Sequence, residues 1–364
     1  MLIGVPAEVK SHEYRVAMTP AGVDLLVRGG HQVVVQRGAG LGSRIDDHEY
    51  EGAGATVVTA AADIWQQADM IVKVKEPIPD EFAFLRSDLV LFTYLHLAAN
   101  YALTDALRAA GTTAVAYETV QLADGSLPLL APMSEVAGRL SILMGGHALL
   151  RASGGRGTLL GGVAGTRRAR VVVLGGGVAG EHATANAVGM GADVTVVDRS
   201  LPRLRALESR FGEAISTRAS TPLVIGDLVS DADLVIGSVL VPGAAAPRLV
   251  TDEMVSAMRP GSVLVDIAID QGGCFEGSRP TTHDDPVFAV HDTLYYCVAN
   301  MPGAVPATST VALTNATLPY VIAIADRGWS RAADADPALA RGLNVDNGEI
   351  SNPGVAAAFE GTKG

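Results

Sequence analysis

Two cysteines, Cys274 and Cys297, are all that the 364 residues contain. That is too few for a disulfide framework, and their spacing matches no metal-binding pattern. Positive charge is scarce too: 27 basic residues stand against 39 acidic ones, giving a net charge of −12 and a pI near 5.1. A nucleic-acid binder would carry a basic face, so nucleic acid is not an expected partner. No apolar run approaches the roughly 20 residues needed to cross a bilayer. The longest, "LVLFTYLHLAA" and "YVIAIA", are much shorter. The opening "MLIGVPAEVKSHEYR" has no long apolar run before its charges, unlike a secretory signal. The expectation is a cytoplasmic protein without membrane contact. The histidines lie in unrelated surroundings, no two at ligand spacing on one helix, and no G-x-S-x-G serine motif occurs. Neither a metal site nor a serine nucleophile is expected.

What is present is an α/β pattern long enough for two domains. Short β-branched runs such as "LIGVPAE", "HQVVVQ", "MIVKVKE", "LVLFTYLH" and "TAVAYETV" alternate with helix-like stretches in the first half. Gly29–Gly30 and Gly111 stand where helices should stop. A long helical pattern begins near Ser134, a plausible N-cap. Six strand candidates follow, "RVVVLG", "DVTVVD", "AISTR", "DLVIGSV", "SVLVDIAID" and "LYYCVAN". The pattern predicts a six-stranded parallel Rossmann domain over 129–305 and an α/β substrate domain built from both chain ends, 1–128 with 306–364, the two sharing a cleft. The final segment is expected to return as helices.

Gly175, Gly177 and Gly180 satisfy G-x-G-x-x-G after an apolar strand and before a helix, and Asp198 ends the next strand. The first glycine permits the turn, the second lets backbone approach a pyrophosphate, and the third lets helix and strand pack closely. Asp198 should accept from the adenosine ribose hydroxyls and repel a 2′-phosphate, which favours NAD over NADP. Arg199 follows directly and keeps the second dinucleotide open.

At expected strand ends stand Lys75 in "VKVKEP", His96 in "LFTYLH", Glu118 in "VAYE" and Asp270 in "VDIAID", while Arg15 follows the first strand. Each has a bland reading: surface charge for Arg15 and Lys75, a core histidine for His96, a cap for Asp270, a partner of nearby basic groups for Glu118. Met133 and Met301 either line the nicotinamide pocket or simply pack. Together, two cations and an imidazole opposite a dinucleotide suit a small carboxylate whose adjacent carbon exchanges hydride.

On "GVPAEVKSHEYRVAMTP", "VKVKEP", "TYLHLA", "APMSEVAGR", "VVVLGGGVAG" and "VANMPGAVP", the chain resembles the alanine dehydrogenase family, which includes the NAD-binding part of nicotinamide nucleotide transhydrogenase. The resemblance implies reversible NAD-dependent oxidative deamination of L-alanine to pyruvate and ammonium, with glyoxylate amination as a side activity. It assigns Arg15 and Lys75 to substrate binding and His96 and Asp270 to catalysis. For NAD it implies Ser134, Gly175, Gly177, Val178, Ala179, Gly180, Asp198, Arg203, Ser220, Val239, Leu240, Ile267, Ala268, Ile269, Asp270, Val298, Ala299, Asn300 and Met301. Arg203 replaces an expected lysine. Some relatives carry magnesium near the position of Tyr320, but "YVIAIADRGW" lacks the ligands, so no metal is carried over. A homohexamer is implied. Two other readings remain open: a transhydrogenase subunit, and an NAD sensor without turnover.

Overall fold

The computed structural model describes residues 1–239 and 246–361. Backbone contacts divide the chain into two units, Met1–Met133 with Gly303–Gly364, and Ser134–Pro302.

The first unit is built on a parallel sheet. Its strands are β1 (Leu2–Val5), β2 (Gln32–Gln36), β3 (Thr56–Val58), β4 (Met70–Val72), β5 (Val90–Thr93) and β6 (Thr113–Ala116), in the order β6-β5-β4-β1-β2-β3. Helices bridge the strands, as parallel neighbours require. The first, Pro20–Arg28, has Thr19 accepting from the Gly22 N–H and Pro20 in its opening turn. Beyond it Gly30 takes a φ of +87°, and Gly111 ends the helix Tyr101–Ala110 at +68°. Trp65, Leu91, Leu95, Leu97 and Leu103 form much of the apolar core on one side of this sheet.

The second unit carries β7 (Arg170–Leu174), β8 (Asp193–Asp198), β9 (Ile215–Ala219), β10 (Leu234–Gly237), β11 (Val263–Asp266), β12 (Val287–Val290) and β13 (Thr293–Tyr296). Their order, β12-β13-β11-β10-β7-β8-β9, contains the six expected parallel strands in the doubly wound arrangement. The seventh, β12, was not expected. It pairs antiparallel with β13 and covers the sheet edge.

The chain then returns to the first unit through the helix Pro306–Arg327. Its 22 residues are long and apolar enough to span a membrane by composition alone. Its buried face, however, includes Ser309, Thr310, Leu313, Thr314 and Thr317, and Thr310 Oγ1 accepts from the Val16 N–H. This is the pattern of a core helix. The expectation of an all-helical return is incorrect: β14 (Leu343–Asp346) pairs antiparallel with β6, and β15 (Glu349–Ile350) with β14. The open edge of β6 supplies the hydrogen-bonding template that these short polar segments lack on their own.

Candidate active site

The three glycines of the dinucleotide motif differ in what they would tolerate. Gly175 has φ +99°, and a Cβ there would stand 2.9 Å from Val239 Cγ2. A Cβ on Gly180 would lie 1.8 Å from the Gly175 carbonyl oxygen. On Gly177 it would meet nothing within 4 Å. The first and third glycines are thus required by the fold itself. The second leaves a bare cradle at the N-terminus of the helix Val178–Gly189, where Val178 and Ala179 open the first turn. Gly175 and Val239 follow β7 and β10, the adjacent strands at which the strand order reverses, the usual place for a ligand in such sheets.

Asp198 ends β8, as expected. Its Oδ2 accepts from the Gly176 N–H at 2.7 Å and its Oδ1 from the Ser200 N–H at 2.7 Å, leaving lone pairs for ribose hydroxyls. Arg203 donates to the Gly176 carbonyl and pairs with Glu181, so its guanidinium fastens the glycine turn to the helix behind it. Ser220 follows β9, its N–H bound to the Asp198 carbonyl at 3.0 Å. Ser238, missed by sequence reasoning, donates to the carbonyls of Leu174 and Gly175 at 2.9 Å each. These residues fit a nicotinamide dinucleotide. Leu240 lies outside the described residues.

Two expectations in this unit need correction. Ser134 does not cap its helix, which starts at Ala131, where Pro132 suits a first turn that needs no N–H donor. Asp270 does not end a strand: β11 stops at Asp266, and Asp270 sits exposed on the turn Ile269–Gln271. The cause is Asp266, which is buried and accepts from the Ala268 N–H, the Cys274 N–H and Ser278 Oγ, turning the chain off the sheet. Ile267, Ala268 and Ile269 form this turn. Val298 to Met301 follow β13, with Val298 and Met301 buried and Asn300 at φ +63°.

The first unit assembles the cations. Arg15 is buried, and its Nε and Nη2 edge is taken by Glu13 at 2.6 and 2.5 Å, while Nη1 donates to Met133 Sδ at 3.0 Å. Met133 is therefore more than packing. Burial disfavours the guanidinium charge, but Glu13 more than compensates and holds its pKa above the usual value. Lys75 lies past the end of β4, not within a strand, and is half-buried. Glu8 accepts from the N–H groups of Val74 and Lys75 at 2.7 and 3.2 Å and so fixes the turn. Among the described residues, the Lys75 ammonium has no hydrogen bond or ion pair. The neighbouring Lys73 is fully buried between Glu8 and Glu81 at 3.5 and 3.1 Å.

His96 also lies beyond its strand, since β5 ends at Thr93. Its Nδ1 is 3.5 Å from Glu76 Oε2, and its ring lies 6.0 Å from that of Tyr94. Glu76 is buried and also pairs with Lys10; against the cost of burial, His96 and Lys10 hold its carboxyl down to about 2. Partial burial disfavours the imidazolium, but Glu76 and Glu118 outweigh it and Lys75, so the His96 pKa is raised above the ordinary value. Tyr94 lies within reach of the Arg15 charge. Arg15 and His96 lie near Tyr94 and Lys75 lies near His96, all in one unit, while Asp270 and the glycine turn belong to the other. Glu118 meets backbone N–H groups rather than a basic side chain. Glu8, Glu13 and Glu76 went unread because single glutamates carry no pattern. Among the described residues, no group of three or more His, Cys, Asp or Glu side chains could hold a metal ion.

The family domains described as alanine dehydrogenase/PNT, N-terminal and C-terminal, match residues 4–137 and 141–353. An alanine dehydrogenase of Mycolicibacterium smegmatis is 58% identical over 356 residues, 98% of this chain and 96% of the relative. That of Bacillus subtilis is 52% identical over 358 residues, 98% and 94% of the two chains. A solved L-alanine dehydrogenase superposes with a TM-score of 0.96 at 50% identity, covering 99% of each chain. A transhydrogenase from Sinorhizobium meliloti gives 0.80 at 28% identity, covering 97% of this chain and 99% of its own.

Proposed function

The chain belongs to the alanine dehydrogenase/PNT family, and from that premise we propose that it catalyses the reversible oxidative deamination of L-alanine to pyruvate and ammonium with NAD as hydride acceptor. The observation that carries this reading is the half-buried Lys75 ammonium, unpaired among the described residues, in the same charged cluster as His96. A transhydrogenase subunit is the more distant reading, with 28% identity to the S. meliloti transhydrogenase structure against 58% to an alanine dehydrogenase. A sensor without turnover would have no use for the cluster.

When bound, the dinucleotide supplies the acceptor for the hydride that leaves the alanine Cα. Arg15 and Lys75 hold the carboxylate and the reacting end of the substrate, orientation and preset charge giving much of the effect. Glu76 beside Nδ1 favours a proton there and leaves Nε2 of His96 to face the substrate. Water adds to the iminium that hydride loss creates, and collapse of the carbinolamine releases ammonia. His96 and Asp270 share the proton transfers of these steps. Hydride transfer requires the substrate Cα to reach the nicotinamide ring with water excluded. Asp198 supports NAD rather than NADP, since a 2′-phosphate there would meet a carboxylate. The same family reading implies a cytoplasmic homohexamer, which light scattering on the purified protein tests for mass.

The deciding assay is NADH formation with a panel of L-amino acids at alkaline pH, and its reversal with pyruvate plus ammonium. Alanine-dependent turnover with NAD, and little with NADP, is expected. NAD binding without amino-acid oxidation would overturn the reading.

A further inference from the structure

The residue proposed to move the proton stands in a backbone conformation that side chains disfavour. His96 has φ 51° and ψ 36°, the left-handed region. Such a turn persists only where its neighbours hold it. Here two successive N–H groups point at one carboxylate: Glu118 Oε1 accepts from His96 N at 2.7 Å and from Leu95 N at 3.1 Å, with Oε2 3.3 Å from Leu95 N. The contact follows from topology. β5 and β6 run parallel with Thr93 beside Ala116, so the turns after them emerge side by side. Glu118 is half-buried: its bond to Leu95 N is partly buried and its bond to His96 N lies at the surface.

We propose that Glu118 is a positioning residue for His96, pinning the left-handed turn through the Leu95 and His96 N–H groups and placing a negative charge beside the imidazole. The proposal rests on the reading of His96 as the proton-handling group. The imidazole is also faced by Glu76, by the Lys75 ammonium and by the Tyr94 ring, but the hold on its backbone comes from Glu118. The carboxylate favours the imidazolium and Lys75 opposes it, so Glu118 acts on both the place and the charge of the ring.

The substitution Glu118→Gln separates the two effects, because its Oε1 still accepts both N–H bonds while the charge is gone. In that variant the Leu95 and His96 amides should stay protected from hydrogen exchange. The imidazole pKa, followed by proton NMR, should fall, and the limb of kcat/KM against pH should move down with it. Glu118→Ala should lose the amide protection as well and lower kcat by about tenfold or more, part of what a positioned acid–base group contributes, with the KM for NAD unchanged. Parent-like amide exchange in Glu118→Ala, or a parent-like imidazole pKa in Glu118→Gln, would overturn the proposal whatever the activity. If the alanine variant does not fold, the glutamine variant decides. Normal turnover of His96→Ala would instead remove the proton-handling role, while exchange and NMR still decide what Glu118 holds.

Discussion

The carbonyl oxygen of Gly175 occupies the space that a side chain on Gly180 would need, 1.8 Å from the ideal Cβ position, with Ser238 Oγ a further neighbour at 2.8 Å. Both obstacles belong to the tightly packed switch between β7 and β10. Gly180→Ala therefore has to spread strand and helix, at a cost of about 1–3 kcal/mol, and should lower the Tm and abolish tight NADH binding. Gly177→Ala meets no atom and has an ordinary φ of −64°. It should melt like the parent protein yet bind NADH at least about tenfold more weakly, a loss of ~1.4 kcal/mol. Equal melting losses in the two variants would contradict the assignment of one glycine to the fold and the other to the ligand.

Arg15 and Glu13 form a pair with side chains 2% and 0% exposed. Removing one charge from a buried pair typically costs about 3–5 kcal/mol. Glu13→Gln should thus shift urea unfolding to lower concentration and raise the KM for alanine, because the guanidinium loses its orientation. The double variant Glu13→Gln with Arg15→Met should be less destabilised than the two single changes summed. Strict additivity in the unfolding cycle would count against a coupled pair.

Proton transfer sets the pH dependence. If His96 accepts the proton as proposed, it must be neutral in the deamination direction, and its raised pKa should place the rising limb of kcat/KM above the ordinary histidine value of about 6.5. In the amination direction the imidazolium is the useful form, so activity should fall as pH rises through the same pKa. Glu76→Gln removes an anion that favours the charged ring and should move both limbs to lower pH. A rate profile indifferent to that change would mean that another group is being titrated.

Turnover gives the bluntest check on the cluster. His96→Ala should reduce kcat by about 10²–10⁴-fold, the usual worth of a positioned acid–base group, with NADH affinity retained. Near-normal kcat would refute its role.

Much of this architecture could be read from residues alone, and the exceptions share a cause. Strands with β-branched runs, such as Arg170–Leu174 and Asp193–Asp198, declare themselves because both faces of a parallel sheet are buried. Thr56–Val58, Leu343–Asp346 and Glu349–Ile350 do not: they are two to four residues long, and the last two exist because β6 offers an open edge. The glycine turn was legible because its spacing encodes geometry. The cations were legible as types placed near strand ends, but their true settings were not. Lys75 and His96 stand past their strands on turns held by Glu8 and Glu118, and no local pattern foretells a carboxylate arriving from a neighbouring strand. The placement of Asp270 failed for a like reason, since Asp266 ends β11 through bonds to residues up to 12 positions later.

The late pairing of residues 343–350 with β6 bears on how the protein is made. A ribosome delivers Thr113–Ala116 long before the strand that will cover them. Between the two lies the whole of Ser134–Pro302, a contiguous unit able to complete its own sheet first. At ~5–20 residues per second, the edge of β6 waits roughly 10–50 s for its partner. Throughout that interval the nascent amino-terminal half presents unpaired backbone to any strand nearby, and it is then that entanglement with a neighbouring chain or capture by a chaperone competes with maturation.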